Sequence, residues 1–212
     1  MGMGTTGSNI ADFLLQIKAV KLQPNQPFKW ASGWNSPIYC DNRITLSHPR
    51  IRTYIRQELV KVIDEKFGPP DVIAGVATGA IAHGVLVAEA MGLPFVYVRS
   101  AAKEHGRQNV IEGEVHRNQS CVVIEDLIST GQSSLKAVHA LRESGVLVKG
   151  MISIFSYGFE ISGDAFRTAN CPVYSLSTYD VLVAQALKNG YINQQDMDKL
   201  QNWREDPEGW KP

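Results

Sequence analysis

The residues best suited to chemistry stand together in "CVVIEDLISTGQSS", Cys121 to Ser134. Three β-branched apolar residues lead into two adjacent carboxylates, Glu125 and Asp126. Leu127, Ile128 and a small turn of hydroxyls and glycine follow. Ser129, Thr130, Ser133 and Ser134 can donate to phosphate oxygens, and Gly131 removes a side chain that would block a close approach. A helix expected from Gln132 to Ser144 adds unpaired N–H groups and the positive end of its dipole. Such a turn cradles a phosphate monoester. It is not the G-x-x-x-x-G-K-[ST] loop of nucleotide-binding proteins, because no lysine follows the glycine. With the phosphate on the turn and two carboxylates free to accept from ribose hydroxyls, the stretch suits a sugar phosphate.

Two other turns carry related chemistry. "RSAAKEHGR" gathers Arg99, Lys103 and His105 around Gly106. Cations on a loop that a glycine lets bend can close over accumulating negative charge and exclude water. "ATGA", Ala77 to Ala80, is a short turn after an apolar run.

The elements that must position these turns follow from the hydrophobic pattern. "DVIAGVA" reads as a buried strand and Ile81 to Met91 as a helix. "LPFVYV" is a second strand, and residues 99–119 form a long polar loop with short edge strands. The acid-tipped strand and its helix come next, with Leu135, Val138 and Leu141 facing inward. "LVKGMISIFSY" and "PVYSL" are further strands on either side of a helix from Phe159 to Ala169, and two helices finish the chain. Strands alternating with helices predict an α/β fold with a mainly parallel central sheet flanked by helices. Right-handed crossovers then bring all three functional turns to the carboxyl edge, where such sheets bind ligands.

Before this core, Ile10, Phe13, Leu14 and Ile17 recur at helical spacing, with Ser8 or Asn9 as the cap. "PNQPFKWASGWNSPIYCDNR" reads as irregular or hairpin-like, and Ser47 caps a helix through Phe67 with Pro49 in its first turn. Residues 1–9 read as a flexible leader and 10–212 as a single domain. The 21 basic and 21 acidic residues balance, which argues against a diffuse basic surface for nucleic acid. Three scattered cysteines without C-x-x-C spacing imply reduced thiols and a cytoplasmic setting. Glu89 interrupts the most apolar stretch, so no membrane span is expected.

Taken together, these stretches resemble a known family. "VVIEDLISTGQSS" is similar to the phosphoribosyl diphosphate signature of type I phosphoribosyltransferases, with Glu where Asp is commoner. "VRSAAKEHGRQNVIEG" resembles the catalytic loop of the orotate phosphoribosyltransferases, whose core is R-x-x-x-K-x-H-G. "FKWASGWNSPIYCDNR" resembles their N-terminal segment over the base, and "GVATGAIAHG" their pyrophosphate-binding loop.

The resemblance implies the type I phosphoribosyltransferase fold with a small N-terminal hood, and transfer of phosphoribosyl to orotate. It makes Lys103, His105, Glu125 and Asp126 catalytic. Arg99, Ala77, Thr78, Gly79 and the run Leu127, Ile128, Ser129, Thr130, Gly131, Gln132 and Ser133 bind phosphoribosyl diphosphate beside them. Lys29, Ile38, Tyr39 and Ser129 meet orotate. It further implies Mg²⁺ held through substrate oxygens without dedicated protein ligands, and a homodimer sharing its sites. Two departures are visible. Some members carry a lysine immediately after the loop arginine, where this chain has Ser100. Others place an arginine for the orotate carboxylate on a later strand, where this chain has Ser156 and Tyr157. The rival readings are a phosphoribosyltransferase for another base and a non-catalytic sensor that binds nucleic acid.

Overall fold

The computed structural model describes residues 3–30, 33–99 and 110–211. Helix α1, Met3–Gln16, begins earlier than the Ser8 or Asn9 cap predicts. Most of the segment read as a flexible leader forms its first two turns. Thr6 Oγ1 donates to Glu58 Oε2 at 2.8 Å, and Ser177 Oγ donates to the Gly7 carbonyl at 2.9 Å. Ile10, Ala11, Leu14 and Leu15 line its buried face. The sequence pattern missed the early turns because their anchors are polar contacts far away in the chain.

Strands β1, Val20–Leu22, β2, Phe28–Lys29, β3, Asn35–Ser36, and β4, Ile38–Cys40, form two nested antiparallel pairs, β1 with β4 and β2 with β3. This is the hairpin-like region the prolines foretold. A 3₁₀ helix, Asn42–Ser47, follows, with the Asp41 side chain accepting from the Arg43 N–H at its start. It continues through Ser47, so the residue expected to cap α2, Pro49–Lys66, lies inside the preceding turn. His48 takes the cap position without a side-chain bond, and Pro49 opens the helix.

The core follows in order: β5, Val72–Val76; α3, Ile81–Met91; β6, Phe95–Val98; β7, Ile111–Glu112; β8, Ser120–Ile128; and α4, Gln132–Glu143. Then come β9, Leu147–Ser156; α5, Glu160–Thr168; β10, Val173–Thr178; α6, Tyr179–Lys188; and α7, Gln194–Glu205. Six of these strands form one sheet in the order β10-β9-β8-β5-β6-β7. All neighbours are parallel except the edge pair β6 and β7.

Side chains alternate across the sheet, as the two-residue period of a strand requires. Ile73, Val122, Ile124, Ile152 and Ile154 join the core containing α1, α2 and α6. Val72, Ala74, Val123 and Met151 pack with Leu135, Val138 and Leu141 of α4 on the other side. Central strands covered on both faces become continuous apolar runs, as β5 is. The hood is anchored to the main body by aromatic rings. Trp30 lies 5.1 Å from Tyr157 and 5.6 Å from Trp203, while Trp203 Nε1 donates to the Asn35 carbonyl at 3.1 Å. Among the described residues, no helix is long and apolar enough to cross a membrane.

Candidate active site

The parallel strands deliver two of the functional turns to one edge of the sheet. β5 ends at Val76, and the chain turns sharply through Ala77 and Thr78, which are joined by a cis peptide bond. The Ala77 N–H donates to the Val98 carbonyl at 2.8 Å, tying this turn to the end of β6. Beside it, β8 runs past the end of β5 and carries Glu125 and Asp126 outward. A cleft of about 410 Å³ opens between them. Ala77, Thr78 and Gly79 line one wall, and Glu125, Asp126, Leu127 and Ser133 another.

The two acids are held differently. Glu125 is 4% exposed, accepting from Ser134 Oγ at 2.8 Å and from the Asp126 N–H at 3.0 Å. Burial pushes its carboxyl well above the ordinary carboxylate range, and the neighbouring Asp126 charge pushes it further. Burial also raises Asp126, while the Arg43 charge acts weakly in the opposite direction. Gly79 presses directly on Asp126: a Cβ there would lie 2.0 Å from Asp126 Oδ2. Any side chain at position 79 would therefore force the Asp126 carboxylate out of its place.

The hydroxyl turn is less uniform than its composition suggests. Ser129 and Thr130 are half-buried, Gln132 and Ser133 are exposed on the first turn of α4, and Ile128 is in the core. Ser134 is buried, and its hydroxyl belongs to Glu125 rather than to a phosphate cradle. Gly131 caps α4 at φ +79°, a region that favours glycine. A Cβ on it would meet the Phe166 ring at 2.9 Å, so packing against α5 supplies a second reason for glycine.

The acid pair, the Ala77–Gly79 turn and Ser133 at the start of α4 thus line one cleft. The phosphoribosyl transferase domain family matches residues 45–157, just over half of the chain. An orotate phosphoribosyltransferase of Porphyromonas gingivalis is 53% identical over 208 residues, covering 98% of this chain and 99% of that protein. The chain belongs to the orotate phosphoribosyltransferase family. The crystal structure of orotate phosphoribosyltransferase from Aeropyrum pernix aligns with a TM-score of 0.75 at 26% identity, covering 87% of this chain and 99% of that one. The UMP synthase of Leishmania donovani shares the fold with a TM-score of 0.80 at 23% identity. There the match covers 94% of this chain but 42% of the longer one.

Within this orotate phosphoribosyltransferase fold, the other expected site residues are scattered. Arg99 stands at the end of β6, its guanidinium 3.3 Å from Glu112, and does not line the cleft. Lys103 and His105 lie outside the described residues. Lys29 is exposed on β2, and Tyr39 is 41% exposed with its ring 5.6 Å from that of Phe28. Ile38 is fully buried, and its carbonyl accepts from Ser36 Oγ and Trp30 Nε1. None of these three lines the cleft, whereas Cys40, immediately after Tyr39, does.

Sequence reasoning missed Asp41 and Arg43. Both line the cleft, and among the described residues Arg43 is the one cation lining it. Its guanidinium grips Asp41 through two bonds, Nε at 2.7 Å and Nη2 at 2.9 Å. That bond holds the Asp41 carboxyl below the ordinary range. The signal was present as "CDNR" directly after the hood strand, but only the fold turns this segment toward the acid pair. At the position where some orotate phosphoribosyltransferases place an arginine, Tyr157 is 2% exposed. It packs against Phe155, Phe159, Trp30 and Trp203, leaving no room for a charged head.

Among the described residues, no group of three or more His, Cys, Asp or Glu is placed to hold a metal. Two adjacent carboxylates at an open cleft nonetheless fit Mg²⁺, which keeps several waters and binds through one or two carboxylates plus substrate phosphates.

Proposed function

We propose that this chain transfers the phosphoribosyl group of 5-phosphoribosyl 1-diphosphate to orotate, giving orotidine 5′-monophosphate and diphosphate in UMP synthesis. The observation that carries this reading is the convergence of the acid pair and the Ala77–Gly79 turn on one cleft. Family membership supplies the base, since relatives covering nearly the whole chain are orotate phosphoribosyltransferases.

In the reaction, the anomeric C–O bond to diphosphate breaks and a bond from an orotate ring nitrogen forms. That nitrogen is already a competent nucleophile, so no activated serine or cysteine is needed. The enzyme's work is to position both reactants and to stabilise separated charge. Glu125 and Asp126 face the ribose as its anomeric carbon becomes cationic. The turn of Ser129, Thr130 and Gly131, with the N–H groups of α4, holds the 5′-phosphate. Ala77, Thr78 and Gly79 receive the diphosphate, while Arg99, Lys103 and His105 supply the charge that lets it leave. Mg²⁺ would be held through the substrate's own oxygens, with no dedicated protein ligands, and would supply positive charge that neutralises and orients the diphosphate.

Orotate lies under the hood, against the Ile38–Tyr39 backbone and Ser129, with Lys29 as the cation for its carboxylate. The functional form is a homodimer in the cytoplasm, with the Lys103 loop of each subunit completing the site of the other. The test is loss of orotate absorbance on adding phosphoribosyl diphosphate and Mg²⁺, beside uracil, hypoxanthine and adenine. Consumption of orotate alone is expected. Turnover of a purine base would keep the phosphoribosyl site and overturn the base. Tight binding without turnover of any base would favour the sensor.

A further inference from the structure

A chain of buried polar side chains joins the acid strand to the opposite wall of the cleft, and the proposed chemistry leaves it unused. The ladder between β5 and β8 ends at Gly75 opposite Ile124, two residues before Asp126. Beyond that point the Asp126 carbonyl accepts from Asn42 Nδ2 at 2.6 Å. Asn42 is itself 1% exposed. Its Oδ1 accepts from Cys40 Sγ at 3.3 Å, and its carbonyl accepts from Thr45 Oγ1 at 2.5 Å. Thr45 Oγ1 lies 3.0 Å from His83 Nε2, and both residues are buried.

The proton count fixes the direction of this chain. A threonine hydroxyl has one proton, and here it goes to the Asn42 carbonyl. His83 Nε2 must therefore donate, leaving Nδ1 bare and, among the described residues, without a partner. Burial, aided by the Arg52 charge, lowers the imidazole to about 4, so it stays neutral at neutral pH. An unsatisfied buried nitrogen costs stability and calls for a reason.

The connectivity offers one. Gly79 touches the Asp126 carboxylate, and one turn further on His83 reaches Thr45. The 3₁₀ helix then carries Asn42 to the Asp126 carbonyl. The contacts form a closed ring that includes both walls of the cleft. We infer that Asn42, Thr45 and His83 are positioning residues that fix Asp126 relative to the Ala77–Gly79 turn. The carboxylate facing the ribose and the turn facing the diphosphate are thereby held at one spacing. This rests on the proposed reading of the site.

Thr45→Val preserves shape while removing the hydroxyl, and Thr45→Ser restores it. The readouts are calorimetric binding of phosphoribosyl diphosphate with Mg²⁺, kcat and the two KM values at 25 °C, and thermal unfolding. Thr45→Val should weaken phosphoribosyl diphosphate binding and kcat, each by about tenfold, as a small misplacement of reacting groups does. The KM for orotate should hold within about twofold, and Thr45→Ser should recover the loss. Asn42→Asp, which deletes the donor onto Asp126, should lose more than Thr45→Val. If it fails to fold, the threonine pair decides alone. A Thr45→Val enzyme that loses thermal stability but keeps wild-type binding and kcat would reduce the chain to a folding role and overturn the inference. Binding by the unsubstituted chain without orotate turnover would sink the base assignment while leaving the binding comparison able to decide. Absence of phosphoribosyl diphosphate binding by the unsubstituted chain would overturn both.

Discussion

Glu125 is a residue whose usefulness and cost share one cause. Its carboxyl is buried, and its value in the folded state is raised from the ordinary 4.5. Below the unfolded value, both states hold the proton and the group contributes no penalty. As pH climbs from the unfolded value to the raised folded value of about 8, the unfolded chain ionises while the native state keeps its proton, so relative stability falls across that window and levels off above it. Glu125→Gln keeps a partner for Ser134 and for the Asp126 N–H without that charge. It should raise the melting temperature at pH 8 and little at pH 4, a gain of about 1–2 kcal/mol at the higher pH. It should also slow turnover sharply. Calorimetry across that pH range checks the first effect; a variant that keeps the wild-type pH slope would contradict the assignment of the penalty to Glu125. Gly79→Ala places a carbon on Asp126, and turnover should drop by roughly a hundredfold while far-UV circular dichroism stays native. The cationic loop is tested by Lys103→Ala, expected to cut kcat far more than stability; normal turnover would remove its assigned role.

Among the elements, α7 matters beyond its distance from the cleft. Trp203 is completely buried and meets Trp30, Tyr157, Phe159 and Tyr179, so one ring joins the hood to the body. Trp203→Ala should cost about 3–5 kcal/mol from lost contacts and the cavity left behind. Because the hood covers the proposed base site, the KM for orotate should rise more than that for phosphoribosyl diphosphate. Equal rises in both would separate hood anchoring from base binding. The capping of α4 by Gly131 shows how one residue can be read correctly for an incomplete reason. Its left-handed φ and the approach of Phe166 both demand glycine, and neither depends on a bound phosphate.

For the molecule as a whole, the proposed shared sites make a complementation experiment decisive. Lys103→Ala and Asp126→Asn subunits, each nearly inactive alone, should regain up to about a quarter of wild-type activity when mixed and allowed to exchange in a symmetric dimer. No recovery despite confirmed exchange would place both residues in the same subunit's site. The order of strands and helices, the acid-tipped strand and the Ala77–Gly79 turn after β5 were legible in the chain. Each rests on local periodicity or on a compact run of side chains. "VVIEDL" carries its strand and its acids within a few neighbouring residues, and parallel topology brings strand ends to one edge. The early turns of α1, the inward role of Ser134, and the convergence of Asp41, Arg43 and Asn42 on the cleft were not legible. Their partners lie tens of residues away, as with Asn42 and Asp126. Whether a polar side chain faces ligand or protein is a matter of packing, and packing between distant segments leaves no period in the sequence. The chain by itself determined which chemistry is available, and the tertiary structure decided which atoms are free to perform it.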